Sequence, residues 1–470
     1  MNSQSPQLLQ RSEVSAPRIN YRLPQVEQLL QLSILAPFIG LLSRPVVTDI
    51  IRTELESIRR SEDFKEKGTQ DIDVNLRIIK RCERVTLQRQ HRVINATGIV
   101  LHTNLGRSPL HTNVWEAVSD VNTGYTNLEI MLENGKRGGR NGLLPTLVRS
   151  WLGAENVLLV NNNAASVYLV LLELAKGKEV IVSRGEQVQI GGGFRIPDIL
   201  MLSGCKLVEV GTTNVTTADD YINAITEDTA LVLMVHQSNF FIGGFTESPD
   251  IREVKRRLPS HVSLVIDQGS GMSNESFAPD ETQLASYLDM GADLVCFSGD
   301  KILGGPQAGL IAGSDELIQR LGRNPMMRAF RCGRIILSLI EELLVRKLNQ
   351  ETSGQGIAER TLANLSNIRQ WCEELAQRWH HWVTFVELST QVGGGTIPAQ
   401  TYPGCGLVLN TSLKPQALLD HLRLGTPAIF GYLHNNQVVL NLTTVLEADQ
   451  AAFVERLDTF FQQLDSGEHS

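Results

Sequence analysis

Between Asn156 and Gly313 the chain repeats one pattern: a short, nearly all-apolar run, a polar or helical segment, then another run. The runs are NVLLV, EVIVS, KLVEVG, ALVLMVHQ, SLVIDQG and DLVCFSG, with AGLIAG after them. A strand with one wet face alternates apolar and polar residues, whereas a strand covered on both faces has no need to. These runs are continuous and rich in Val, Ile and Leu. Separated by helical segments, they predict an α/β fold with a mostly parallel sheet and helices on both faces. Such a sheet takes its ligands at the carboxyl ends of the strands.

The flanks follow a different grammar. In LPQVEQLLQ, PVVTDIIRTELESIRR and DVNLRIIKRCERV, apolar residues recur three and four apart, as on amphipathic helices. We therefore expect a flexible tail over residues 1–20 and a helical domain over 21–90, with SEDFKEKGTQD as its loosest loop. A large domain follows over 91–325. The helical IILSLIEELLVRKL, then VTFVELS, GLVLN and QVVLNLTTV, and a final AAFVERLDTFFQQL predict a smaller α+β domain over 326–470. No run reaches the ~18 apolar residues of a membrane span; the nearest, Leu29 to Leu42, is broken by Pro37. The opening MNSQSPQLLQ is uncharged, unlike a secretory signal, and a cytoplasmic protein is expected. Six scattered cysteines without a CxxC pair suggest neither a metal site nor a disulfide framework. Residues 1–92 hold 15 Lys+Arg against 11 Asp+Glu, a net of +4, on a chain of net charge -8. A basic head suits a polyanion-binding module or, equally, a solvated helical surface.

Three polar clusters fall at predicted strand ends. NNNAAS (Asn161 to Ser166) follows NVLLV and would open a helix, whose N–H groups and dipole make an anion seat. Asp267 closes SLVID. Lys301 follows DLVCFSG, with Ser298 three residues earlier. A lone strand-end lysine is usually a surface residue, and a lone Asp-Gln-Gly usually a turn. In this order, though, the three suit pyridoxal phosphate. The lysine would form a Schiff base, Asp267 would keep the pyridine nitrogen protonated, and Asn162, Asn163, Ala164 and Ser298 would hold the phosphate. Gly304 and Gly305 would let the loop after Lys301 approach a bulky cofactor closely.

The segments INATGIVLHTNLGRSPL, VNNNAASVYLVL, VSRGEQVQIGGGFRIPDIL, EVGTTN, VHQSNFFIGGF, IDQGSG and FSGDKILGGPQAGLIAG resemble the bacterial L-seryl-tRNA(Sec) selenium transferase family, and LPQVEQLL resembles the opening of its N-terminal helical domain. The resemblance covers most of residues 20–460. It implies a fold-type I pyridoxal phosphate enzyme, aspartate aminotransferase-like. Such an enzyme converts seryl-tRNA(Sec) to selenocysteinyl-tRNA(Sec) with selenophosphate, through a dehydroalanyl intermediate. It further implies that Lys301 carries the cofactor and Asp267 is its pyridinium partner. Arg107, Arg328 and Arg331 would meet the anionic donor or substrate phosphates, where a rigid guanidinium fork is suited. Arg137 and Arg140 are secondary candidates. His236 would contact the cofactor or serve as a structural histidine, and His102 reads as structural. The helical domain would dock tRNA, and the chain would assemble as a ring of dimers. No metal, DNA or membrane partner is expected.

Some positions depart from the family pattern. Gly333 and Arg334 replace an Asp-Lys pair, Thr443 and Gly431 stand where arginines are usual, and Gln268 replaces a leucine. These departures leave room for two other readings: a relative acting by elimination on a small amino acid or amino-sugar acid, and a non-enzymatic tRNA-binding protein. The N-terminal domain argues against the first, and Lys301 with Asp267 against the second.

Overall fold

The computed structural model describes residues 21–69, 72–187, 189–190, 193–237, 240–279, 281–397 and 400–466; the tail expected over 1–20 lies outside them. The chain forms two compact units, residues 1–92 and 93–470.

The first unit is helical. Val47, Ile50, Ile51, Leu55 and Ile58 line one face of the helix Arg44–Arg60 and pack with Ile78 and Cys82 of the helix Val74–Thr86. That is the stripe the three-and-four spacing predicts. The stretch expected as a loop instead holds the helix Glu62–Lys67. Ser61 is the reason: its hydroxyl accepts the Phe64 N–H, and Glu62 and Asp63 follow in the first turn, which favours a helix start.

The second unit is built on a seven-stranded sheet. Its strands are β1 (Asn156–Val160), β2 (Glu179–Ser183), β3 (Lys206–Val210), β4 (Thr229–Val235), β5 (Ser263–Gly269), β6 (Leu294–Ser298) and β7 (Gly309–Gly313). Their order is β1-β7-β6-β5-β4-β2-β3. β7 alone runs antiparallel to its neighbours β1 and β6, and the remaining pairs are parallel. Both faces are covered, as the unbroken apolar runs require. Met234, Ile266, Val295 and Phe297 join the core on one side, and Leu233, Val235, Val265 and Cys296 the core on the other.

A second, four-stranded sheet contains β8 (Val383–Thr390), β9 (Tyr402–Leu409), β10 (Tyr432–His434) and β11 (Gln437–Asn441), ordered β8-β9-β11-β10 and antiparallel throughout. Cys372 and Leu375 of the helix Leu365–Arg378, with Phe453, Leu457 and Phe460 of the helix Glu447–Ser466, close its core. Two stretches cross the boundaries expected at 90 and 325. Val93–Asn95 pairs in parallel with Ala428–Phe430, so the start of the second unit joins the smaller layer. Conversely, Leu337, Leu339, Ile340, Leu343 and Leu344 of the helix Arg334–Leu348 belong to the large-sheet core. Among the described residues, no single helix is long and apolar enough to cross a membrane.

Candidate active site

The strand register assembles the site. Val160, Gly309 and Ser298 sit in one row across β1, β7 and β6, while Val235 and Cys296 flank Asp267 in the next strands. The ladder is irregular between Asp267 and Gly269. Gln268 there is fully buried. Its Oε1 accepts the Gly271 N–H at 2.7 Å, and its Nε2 faces the Met272 and Thr282 carbonyls at 3.4 Å. A leucine could satisfy none of these groups, which accounts for the glutamine.

The helix Asn163–Leu174 starts at the end of β1. Asn162 is its cap: Oδ1 accepts the Ala165 N–H at 2.9 Å, so this side chain is spent on the helix. The first-turn N–H groups of Asn163 and Ala164 have no intrahelical acceptor and are the part of the cluster open to an anion. Gly309 lies directly beneath, where a side chain would strike the Asn162 carbonyl and the Ser166 hydroxyl. Asn163 does something the sequence did not disclose. Its Nδ2 donates to Asp267 Oδ1 at 2.7 Å, so it orients the acid rather than a phosphate.

Asp267 and Lys301 are both buried, and each is pushed toward its neutral form. Burial raises the Asp267 carboxyl, opposed by the Asn163 hydrogen bond and the charges of Lys301 and His236. Burial also lowers the Lys301 amine; Asp267 and Asp300 oppose this, while Arg107 adds to it. A lysine held toward the free amine is fit to attack a carbonyl. A buried acid held upward returns to its anion when a cation is placed against it.

Lys301 lies three residues beyond the end of β6. Its preceding residue, Asp300, takes Arg107 Nη1 at 2.8 Å, and its carbonyl accepts the Ser108 N–H. Arg107 has a φ of 63°, a left-handed conformation costly for a side-chain-bearing residue and often kept at functional sites. The structure thus brings Arg107 to the lysine. Arg331 reaches the other end of the site: its backbone bridges Val160, and Asn161 N–H donates to the Phe330 carbonyl. Its guanidinium lies 4.0 Å from Glu129, which also takes Arg140 at 2.5 Å and Arg137 at 3.0 Å. Arg328, one turn earlier, is exposed, with no side-chain partner among the described residues.

His236 donates its backbone N–H to the Asp267 carbonyl at 2.9 Å, and its Nε2 lies 3.0 Å from Glu281 Oε2. The carbonyl of His102 accepts the Leu105 and Arg107 N–H groups, while its Nδ1 is buried without a hydrogen-bond partner among the described residues. The glycines after Lys301 are packed closely against the protein itself. A Cβ on Gly304 (φ +84°) would lie 2.6 Å from Gly356 Cα, and one on Gly305 would lie 2.9 Å from Ile340. The altered positions Gly431 and Thr443 belong to the smaller layer. A Cβ at 431 would meet the Val439 carbonyl at 2.6 Å, and the buried Thr443 hydroxyl accepts the Cys405 N–H at 3.1 Å. Gly333 opens onto free space, and Arg334 donates to the Asn122 and Gly124 carbonyls.

Pyridoxal phosphate fits this edge on chemical grounds. Asn163 Oδ1, Ser166 Oγ and His236 Nδ1 are buried without a hydrogen-bond partner among the described residues. Buried polar atoms are normally paired, so three orphans beside a helix start, a buried amine and a buried acid mark a place for a polar ligand. Lys301 would hold its aldehyde carbon, Asp267 its ring nitrogen, and the first turn of Asn163–Leu174 its phosphate.

A family model described as L-seryl-tRNA selenium transferase matches residues 93–446, and one described as selenocysteine synthase N terminal matches residues 22–59. An L-seryl-tRNA(Sec) selenium transferase of Alkaliphilus oremlandii is 38% identical over 94% of this chain and 98% of its own. That of Geobacter sulfurreducens is 37% identical over 93% and 98%, and that of Aquifex aeolicus 39% over 76% and 81%. Among solved structures, a D-glucosaminate-6-phosphate ammonia-lyase superposes with a TM-score of 0.56 at 21% identity, over 78% of this chain and 95% of the other. At that identity the likeness speaks to fold alone.

Proposed function

The chain belongs to the L-seryl-tRNA(Sec) selenium transferase family, and from that premise we propose that it exchanges the seryl hydroxyl of seryl-tRNA(Sec) for selenium supplied by selenophosphate, through a dehydroalanyl-tRNA. It is a pyridoxal phosphate enzyme of the aminotransferase-like fold. The observation that carries the reading is that buried Lys301 and Asp267, whose charges act on each other, lie beside polar atoms unpartnered among the described residues.

Pyridoxal phosphate, when bound, supplies an electron sink for a carbanion at the seryl α-carbon. The chain supplies the rest. Asp267, oriented by Asn163, would hold a proton at the ring nitrogen. The Lys301 amine would anchor the cofactor and, when free, would take the seryl α-proton and return a proton to the departing hydroxyl. Arg107 neutralises charge next to Lys301, and Arg328 and Arg331 offer guanidinium forks to the anionic donor. The N-terminal unit, with its net of +4, docks the tRNA, with shape recognition alongside charge. We place the enzyme in the cytoplasm as a ring-like homo-oligomer of dimers.

The test is to incubate cofactor-loaded protein with seryl-tRNA(Sec) and selenophosphate and analyse the aminoacyl ester. Selenocysteinyl-tRNA is expected. Protein lacking residues 1–85 should keep its cofactor and lose tRNA binding. Unchanged seryl-tRNA with the full chain would refute the reading.

A further inference from the structure

We propose that Glu281 is a positioning residue that acts on the cofactor through His236. The inference rests on the pyridoxal phosphate reading but needs nothing about tRNA or selenium. His236 follows β4 directly, and its backbone N–H is tied to the carbonyl of Asp267. The main chain of the histidine is therefore fixed to the residue we assign to the ring nitrogen. Its imidazole is held separately. Nε2 lies 3.0 Å from Glu281 Oε2, both side chains are about one-fifth exposed, and Nδ1 is buried without a partner among the described residues.

A carboxylate on one ring nitrogen fixes the tautomer and the rotation of an imidazole, and so decides what the other nitrogen presents. Glu281 would thereby keep the proton on Nε2 and leave the buried Nδ1 as an acceptor. The natural partner on a pyridoxal ring is the hydroxyl next to the aldehyde-bearing carbon. Other ionisable groups surround the pair. Asp267 lies on β5, Lys301 beyond β6, Tyr287 on the helix Leu284–Asp289, and Asp250 at the start of the helix Ile251–Arg257. Glu186 follows β2, and its Oε2 accepts the Val235 N–H at 2.9 Å. Of these, Glu186, Asp250 and Tyr287 line the same cavity of about 450 Å³ as His236.

The readout is the visible absorption of protein-bound cofactor, titrated with pH in the absence of substrate. Wild type, His236→Ala, Glu281→Gln and the double variant are compared. We expect Glu281→Gln to move the midpoint by roughly half to one pH unit, in the same direction as His236→Ala. In the His236→Ala background, Glu281→Gln should add nothing, because residues that act through one another are not additive. Additive shifts, or no shift in Glu281→Gln, would overturn the proposal. If the glutamine variant does not fold, Glu281→Asp is read in the same two backgrounds by the same criterion. A wild type that takes up no cofactor overturns the cofactor reading as well; a loaded wild type with additive shifts overturns this inference alone.

Discussion

Polar side chains are buried in both layers of the second unit, but on different terms. In the smaller layer the network where β9 meets β11 is partnered, although Thr411 Oγ1 and Arg456 Nε elsewhere in that layer are buried without a hydrogen-bond partner among the described residues. Asn441 accepts the Thr443 N–H and reaches toward Ser389 and Thr390, Thr443 accepts the Cys405 N–H, and the Thr444 hydroxyl donates to the Asn95 carbonyl at 3.0 Å. At the carboxyl edge of the large sheet, Asn163 Oδ1, Ser166 Oγ and His236 Nδ1 lack partners among the described residues, and burial pushes Asp267 and Lys301 toward neutrality. A satisfied buried group holds a fold together; an unsatisfied one costs about 1–3 kcal/mol unless a ligand completes it. By this criterion Thr443 serves packing, as the close contacts around Gly431 also suggest for that position, and the cluster of Asn163, Ser166 and His236 beside Asp267 and Lys301 is where we look for the ligand.

The comparison breaks most easily at Lys301. Lys301→Ala should abolish the visible cofactor band and lower turnover by about 10^4-fold or more, since it removes both the covalent anchor and a proton carrier; spectra and rates check both. Asp267→Asn should keep much of the bound cofactor yet lose on the order of 10^2–10^3-fold in turnover, the scale of one misplaced electrostatic contact in a dry site. Asn163→Ala should cost roughly tenfold in turnover, the worth of one charge-assisted hydrogen bond, with the fold intact by circular dichroism. Thr443→Val should do the reverse. It strands the Cys405 N–H, so unfolding free energy should fall by about 1–3 kcal/mol while kcat stays as it was.

Glu186 gives a smaller, pH-dependent effect. Burial pushes its carboxyl from 4.5 up to about 8, against the hydrogen bond from Val235. The folded chain therefore holds a proton that the unfolded chain releases in that window. This stabilisation is complete below about pH 4.5 and is lost as pH rises through 8. Between pH 6 and 9 the melting temperature of the wild type should fall more steeply than that of Glu186→Gln. Parallel slopes would mean that the carboxyl is ionised throughout.

Much of this site was legible in the chain. Apolar runs without alternation reported a sheet covered on both faces, and the register then brought Val160, Ser298 and Asp267 to one edge because each ends or nearly ends a run. The pairings across that edge were not legible. Arg107 and Asp300 are 193 residues apart, and nothing local in either tells of the other. Asn163 reads as part of a phosphate seat until its amide is seen on Asp267. Gly304 and Gly305 signalled close approach, but not that the neighbour is Gly356 and Ile340. Glu281 carried no motif at all.

The central claim is that the unpaired edge of the large sheet is a covalent cofactor site centred on one lysine. The direct measurement is to load the protein with pyridoxal phosphate, reduce it with borohydride, digest it and map the labelled peptide by mass spectrometry. The label is expected on Lys301 alone, and absent from the same peptide when the Lys301→Ala protein is treated identically. A label on a different lysine, or protein that takes up no label, would contradict the account.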